Sequence, residues 1–540
     1  MEKRTLIAVL LSVIILFVWQ FFLSPKTPPS TEPQTTAQTQ KQGDQSATEP
    51  AKTGQGAKQG QETERAALPL TEKRSTKQIN VETPKLRIKL GDLGGGLTSV
   101  RLKEYKEAVG GSQEKELLEN IAPYRYIPAV SQTSGNGTVS DATLFKADKE
   151  NIVVRDKPET LTFSGELTNG KKIKKVYTFY PDTYTIGLNV QVEGLEQSTA
   201  YADFALFNMK DKSSYVFKGP FIYDGKKFQQ VDDLGKQVNA NKSYSYAGFD
   251  EGYFSFIFLP QGTTKPDLLV TKVVTQLDNS SVDVPVDRLI FDKNGIDSTL
   301  YFVPNKLSLL KELNIHAEKI VDFGWFDIVA KPMLWGMNWA NRFTRNYGID
   351  IILLTILIKI IFYPLSVKSY KSMKEMQKLQ PMIAKLKEKY KDDKEKLNRE
   401  MMGIYKTKGI NPLGGCLPMV IQIPVFFALY KVLMGAIEFR HAPFMLWIND
   451  LAAPEDLFTF HVAGFALPLR ILPLIMGITM VIQQKMTPTG GDPMQAKMMM
   501  FMPIFFTFLF WGFPSGLVLY WLVNNVISIG QQYYINKRVA

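Results

Sequence analysis

The run Ile349-Asp-Ile-Ile-Leu-Leu-Thr-Ile-Leu-Ile-Lys-Ile-Ile-Phe-Tyr-Pro-Leu365 decides the fold. It is apolar almost throughout and, as a helix, reaches about 25 Å, close to the hydrocarbon thickness of a bilayer. That length and composition predict a transmembrane helix. One residue resists the assignment. Lys359 lies inside the run, where a lysine costs roughly 2.5–3.5 kcal/mol on insertion scales. Thr355, Lys359 and Tyr363 are spaced i, i+4, i+8 and share one helical stripe, which Ser366 extends by a turn. Snorkelling toward the nearer end, about 10 Å of helix away, is the simpler account of a lone lysine. Its polar companions favour the other account, a wet cavity inside a helical bundle with Lys359 as its charge.

Outward from this run the composition is uneven. The 45% hydrophobic content looks ordinary, yet of 20 methionines all but Met1 and Met209 lie at or after Met333. A polar unit is therefore joined to a membrane unit. Further apolar runs at Leu417–Ile437, Leu467–Ile482, Met498–Phe513 and Leu517–Ile529 predict four more spans. Leu6–Leu23 is long for a signal core and no small-residue cleavage site follows it, so residues 1–24 read as an uncleaved anchor and a sixth span. Loop charges set the topology. Lys3 and Arg4 place the N-terminus in the cytoplasm; Ser366–Cys416, with 13 Lys/Arg against 6 Asp/Glu, is also inside. Glu438–Ala466 has only Arg440 as a basic residue and is outside, while Lys485, Lys497, Lys537 and Arg538 are inside.

Residues 25–80 lack Phe, Tyr and Trp and read as a disordered periplasmic tether. From 81 to 320 the period is 2, as in Leu86-x-Ile88-x-Leu90 and in Tyr184 through Val192, with a hairpin-like Asn169-Gly170. The prediction is a large antiparallel β-sandwich outside the cytoplasm, attached to a bundle of six transmembrane helices. Gly94-Gly95-Gly96 sits between strand-like runs and reads as a tight turn or bulge. Phe323–Arg345 carries Trp335, Trp339 and Phe343 at i, i+4, i+8, and residues 321–348 read as an amphipathic helix on the outer membrane surface. Residues 349–540 form the five-helix core, with a cytoplasmic hairpin at 366–410.

In that hairpin Met373, Met376, Ile383, Leu386 and Tyr390 make one apolar seam, and Leu397, Met401 and Ile404 the other. Asp392-Asp393-Lys394-Glu395 offers an acidic N-cap and a capping-box Glu to the second helix. The basic residues Lys371, Lys374, Lys378, Lys385, Lys387 and Arg399 suit a nascent chain, a translocase partner, ribosomal RNA or anionic lipid headgroups, and the sequence does not separate these. Gln422, Tyr520, Trp521 and Asn525 are candidates for the same cavity as Lys359. Asn524 and Asn525 serve equally well as hydrogen-bond glue between helices. Lys431 lies nearer the external end of its span and reads as snorkelling. Met498–Phe513 reaches only about 24 Å and would thin the bilayer locally. Enzyme chemistry finds little support. Cys416 is the single cysteine, and His316, His441 and His461 share no ligand or catalytic spacing. No phosphate loop, His-Glu-x-x-His or Gly-x-Ser-x-Gly occurs, so no enzyme activity, cofactor or metal is expected. The net charge of +12 fits an anionic membrane surface, and DNA is not an expected partner.

The run Asn411-Pro-Leu-Gly-Gly-Cys-Leu-Pro-Met-Val-Ile-Gln-Ile-Pro-Val-Phe-Phe-Ala-Leu-Tyr430 resembles the signature of the YidC/Oxa family of membrane protein insertases. So do Tyr363-Pro364-Leu365, Gln380-Pro381 and Phe513-Pro-Ser-Gly-Leu-Val-Leu-Tyr520. These motifs cover the five C-terminal spans. The anchor, tether and outer domain look like the Gram-negative form, with a weaker likeness at Gly219-Pro220 and from Tyr253-Phe254 to Pro260. The resemblance implies a hydrophilic groove, open to cytoplasm and lipid and closed outside, with one positive charge on the second span. It implies insertion and folding of newly made inner-membrane proteins, some lipoproteins among them, alone or with the Sec translocase. Two features depart from the family pattern. The groove charge is usually arginine, and Lys359 makes no bidentate fork and loses its proton more readily. The chain ends in Asn536-Lys-Arg-Val-Ala540 with no long basic tail, so ribosome contact would rest on the hairpin and short loops, or be weak. Two rivals remain. An anion transporter or channel using Lys359 would be expected to show inverted repeats and broken helices at mid-membrane, and the sequence shows neither. An envelope assembly factor would act through the β domain instead.

Overall fold

The computed structural model describes residues 77–118, 126–134, 137–195, 199–205, 217–233, 237–262, 265–277, 280–292, 295–390, 393–409, 417–462, 465–486 and 493–538. The predicted anchor, most of the tether, Asp392 and the Asn411–Cys416 part of the signature lie outside these residues.

Alternating sequence gives alternating burial. Leu86–Gly91, Lys172–Phe179 and Thr185–Val192 bury every second side chain along most of their length. Between Gln78 and Pro304 the strands form sheets of five, nine and six. Pairing is mostly antiparallel, with a parallel pair where Gln78–Glu82 meets Asn151–Val153. The two larger sheets face each other: Phe204 of the six-stranded sheet stacks on Phe256 and Phe258 of the nine-stranded one at 5.7 and 5.6 Å.

Several inward positions carry charged groups, Lys175 among them. Lys175 is fully buried, and its Nζ donates to Gly94 O (2.7 Å), Pro128 O (2.8 Å) and Asp141 Oδ2 (2.6 Å). Asp141 Oδ1 accepts from Tyr126 Oη at 2.7 Å. Burial pushes Asp141 up and Lys175 down, and their pairing opposes both shifts. The triple glycine is indeed a turn, with Gly94 and Gly95 at φ +68° and +55°. It is also a fitted one: a Cβ on Gly94 would meet the Tyr126 ring at 2.1 Å.

Asp287 is different. It is fully buried, and neither carboxylate oxygen has a partner among the described residues. Burial pushes its pKa well above the usual carboxylate range. Such a group costs folding free energy, so Asp287→Val should stabilise the domain by about 1–3 kcal/mol. Thermal melts of the full chain test this, and a lower melting temperature would mean that the carboxyl has a structural task.

The chain leaves the β domain through helix α1 (Leu307–Glu312) and the segment 320–324, and enters α2 (Asp327–Thr344). A cavity of about 160 Å³ lies at this junction, lined by Asp250, Asn305, Phe323, Lys431 and Gly435 among others. Lys431 thus lines a cavity together with residues of the β domain. Asp250 Oδ1 accepts from Gly252 N (2.8 Å), Asn305 Nδ2 (2.9 Å) and Ser255 Oγ (3.4 Å). Desolvation outweighs these bonds and pushes the carboxyl up to about 7. The folded state therefore holds this proton more tightly than the unfolded chain, whose value is near 3.8. That preference favours folding at pH 4 and is lost as pH rises to 7, a change of about 4 kcal/mol. Asp250→Asn should flatten the fall in stability between pH 4 and 7, and an unchanged slope would assign it to other groups.

Nearby, Arg440 Nη2 donates to Lys106 O (2.8 Å) and Glu107 O (3.0 Å), and its guanidinium lies over the Phe254 ring at 5.4 Å. The external loop is thereby tied to the β domain. Helix α2 exposes Trp335, Trp339 and Phe343, as the amphipathic reading expects.

The remaining helices are α3 (Tyr347–Ile361), α4 (Tyr363–Lys389), α5 (Lys394–Thr407), α6 (Leu417–Gly435), α7 (Ile471–Met486), α8 (Pro493–Leu509) and α9 (Ser515–Arg538). Among the described residues no single helix is long and apolar enough to cross a membrane alone; α3 and α4 qualify only together, as a pair bent by 63°. Two expected spans need correction. The run Ile349–Leu365 breaks at Phe362, because Pro364 has no N–H for the helix ladder and its ring disfavours continuation. The run Leu467–Ile482 is not one helix: residues up to Leu469 form a β-strand, and α7 starts at Ile471.

Candidate functional site

Helix α3 is started by Asn346, whose side chain accepts from Gly348 N (2.9 Å) and Ile349 N (3.2 Å). Asp350, in its first turn, is buried and accepts from Asn341 Nδ2 (2.7 Å) and Thr344 Oγ1 (2.6 Å). These bonds lock α3 to α2 and set the rotation of α3. Thr355 and Lys359 then face the bundle. Thr355 is buried, and its hydroxyl donates to Ile351 O of its own helix at 2.6 Å. Lys359 is half-buried, and its Nζ donates to Ser528 Oγ of α9 at 2.7 Å. Ser528 Oγ in turn donates to Asn524 O at 2.7 Å, and Tyr370 of α4 hydrogen-bonds the same hydroxyl. No carboxylate lies within ion-pair range of Lys359 among the described residues. Among the described residues its ammonium meets the Ser528 hydroxyl and no counter-charge.

The predicted stripe holds only in part. Tyr363 lies beyond the bend, in the first turn of α4, and is 38% exposed. The other expected groove residues sit at different heights. Gln422 Nε2 of α6 donates to Tyr520 Oη of α9 at 3.2 Å, and Tyr520 is fully buried. These lie two turns, about 12 Å, along α9 from Ser528. Trp521 belongs to an aromatic cluster with Phe426, Phe506 and Phe510, at ring distances of 5.2, 5.9 and 5.1 Å. Asn525 turns away to α7, where its Nδ2 donates to Thr479 Oγ1 at 3.3 Å. That contact is the glue role rather than the groove role.

Sequence reasoning missed Ser528, Tyr370 and Gln532. A signal was present: Tyr520, Asn524, Ser528 and Gln532 repeat every four residues along α9, and all are buried. Gln532 Nε2 donates to Met486 O at 2.7 Å. Toward the β domain the seam ends in packed rings. Phe510 and Phe513 meet at 5.2 Å and Tyr430 and Phe513 at 5.6 Å, while a Cβ on Gly516 would meet Leu451 O at 3.0 Å.

Helices α4 and α5 form the expected hairpin, with Leu379 and Ile383 buried in its seam. Lys371, Lys378, Lys385 and Arg399 are exposed, and Lys374 and Lys387 half-buried. Lys378 pairs with Glu375 at 2.7 Å and Arg399 with Glu395 at 3.4 Å. Asp393 caps α5 by accepting from Lys396 N at 3.0 Å, which puts Glu395 one residue too early for a capping box.

A β domain is thus packed against a helical core in which Lys359, Ser528 and Asn524 form a polar seam. The 60Kd inner membrane protein family matches residues 339–540, and the YidC periplasmic domain family matches residues 78–336. A relative named membrane protein insertase YidC from Syntrophus aciditrophicus (strain SB) is 39% identical over 556 residues, covering 100% of both chains. Another from Geobacter metallireducens is 39% identical over 566 residues, covering 100% of this chain and 99% of that one. A crystal structure of an active YidC insertase with its first transmembrane domain resolved matches at 20% identity and TM-score 0.40, over 85% of this chain and 93% of that chain. The chain belongs to the YidC family of inner membrane proteins, and its β domain is periplasmic.

Proposed function

We propose that this chain is a membrane protein insertase whose substrate groove is the seam between α3, α4, α6 and α9. The observation that carries this reading is Lys359, held by Ser528 at 2.7 Å with no carboxylate partner among the described residues. A polar segment entering from the cytoplasm would exchange water for these dipoles and approach the charge. The substrate's apolar segment would then slide into lipid past α6 and α8. Every unpaired backbone group costs several kcal/mol in hydrocarbon, and a wet seam shortens the dry part of the passage. No bond is made or broken, so partitioning and the membrane potential can drive the step. The groove set is Lys359, Thr355, Gln422, Tyr520 and Trp521, with Tyr363 at its mouth. The five core spans carry the chain from the periplasm to a cytoplasmic C-terminus, and an N-terminal anchor, a sixth span, places the N-terminus in the cytoplasm as well. The α4–α5 hairpin receives nascent chains through its exposed lysines, with Sec components and the ribosome as further partners.

Site-directed crosslinking tests the groove. A photoreactive residue at Gln422 or Trp521 should trap a stalled single-span substrate, and one at Phe439, buried at the outer end of the core, should not. Equal trapping at all three positions would refute a defined path.

A further inference from the structure

The loop between α6 and α7 ends in a β-hairpin, Phe458–Val462 paired with Phe465–Leu469. Pairing places Phe458 opposite Leu469 and Phe460 opposite Leu467, so these four side chains share one face. Thr459 and His461 take the other face. On the apolar face Phe458 is 56%, Phe460 48% and Leu467 46% exposed. The two phenyl rings pack edge to face at 4.7 Å.

The hairpin is held firmly at its base. Glu455 accepts from Trp447 Nε1 at 2.5 Å and from Leu472 N, and Arg470 donates to Trp511 O. A well-anchored strand pair thus presents aromatic rings outward, where a soluble surface would present polar groups.

Three features on the molecule single out its occupant. From Leu457 to Leu469 the chain has no Asp, Glu, Lys or Arg, while Asp456 and Arg470 flank this gap directly. A protein-docking patch normally carries a polar rim; here the charges lie only at the base. The hairpin also runs straight into α7, whose exposed face is Leu474, Ile475, Ile478 and Ile482, so the apolar surface is continuous. Finally, α7 has 16 residues, about 24 Å against a hydrocarbon thickness of about 30 Å. An apolar hairpin at its outer end makes up the missing depth.

We infer that the hairpin is a lipid-dipping wedge, which seats Phe458, Phe460 and Leu467 in the outer leaflet and fixes the outer end of α7. The inference rests on the reading above that this loop faces the periplasm. By holding α7 at a set depth, the wedge holds the Thr479–Asn525 contact, and with it one wall of the seam.

Single cysteines at Phe458, Thr459, Phe460 and His461, in a Cys416→Ser background, carry a nitroxide in the full chain reconstituted into phosphatidylethanolamine–phosphatidylglycerol vesicles. Power-saturation EPR then compares contact with oxygen, which concentrates in lipid, and with a water-soluble nickel chelate. The expected result is a two-residue alternation: positions 458 and 460 favour oxygen several-fold over 459 and 461. Equal contact with the chelate at all four positions would overturn the wedge. So would protection from both reagents at 458 and 460, the mark of a protein partner, a second copy or a substrate segment. A membrane-impermeant maleimide applied to spheroplasts of the His461→Cys variant reports the side separately. Labelling only after lysis would refute the periplasmic placement, whatever depth the EPR shows.

Discussion

Lys359→Glu lowers insertion of a substrate with an acidic leading segment by at least about tenfold, while Lys359→Arg retains it. At an effective dielectric near 20, two unit charges 4 Å apart interact by about 4 kcal/mol. Reversing the sign turns attraction into repulsion, and about 1.4 kcal/mol already amounts to tenfold. Lys359 donates to Ser528 Oγ, whose own proton goes to Asn524 O, so the site is arranged to accept a cation and offers a carboxylate little. Arginine keeps the charge, and its fork can reach Ser528 as well. Lys359→Ala should fall between the two. Rates of protease protection in inverted membrane vesicles read the series. Equal rates for arginine, alanine and glutamate would show that the lysine only supports packing.

Lys175→Met destabilises the periplasmic domain by about 3–5 kcal/mol, because it strands Asp141 in the core without its cation. The lost amine also leaves Gly94 O and Pro128 O without their donor. The double variant Lys175→Met/Asp141→Leu should recover most of the loss, since a buried pair replaced by apolar groups of similar volume is often near neutral. Denaturant midpoints of the β-sheet signal in the full chain measure both. A single variant that loses less than about 1 kcal/mol, a typical surface-pair value, would mean that water enters this pocket.

Much of the architecture was legible because it follows from period and length. Alternation in Lys172–Phe179 and Thr185–Val192 gives the strands, and the Trp335, Trp339, Phe343 stripe gives the exposed face of α2. Lys359 stood out because charge in an apolar run is costly. What escaped depends on tertiary geometry. Pro364 sits inside an apolar run that predicts one span, yet its missing N–H bends the chain by 63° and separates Tyr363 from Lys359. Leu467–Leu469 falls inside an apolar run that predicts a helix but belongs to a strand, because a short apolar run carries no period of its own. Ser528 by itself is an ordinary small residue of an apolar helix. Its place on the Tyr520–Asn524–Ser528 stripe acquires meaning only once α3 packs beside α9 and Lys359 reaches across. The pairing of Lys175 with Asp141, 34 residues apart, has no local signature at all.

The most direct test of the insertase reading needs only the purified full chain, liposomes and a ribosome-free single-span substrate with an acidic N-terminal segment. The measurement is protection of that segment from protease added outside, in the presence of the chain and in protein-free liposomes. The account predicts clear protection above the protein-free level, reduced by Lys359→Glu. Protection no greater than in protein-free liposomes would contradict it.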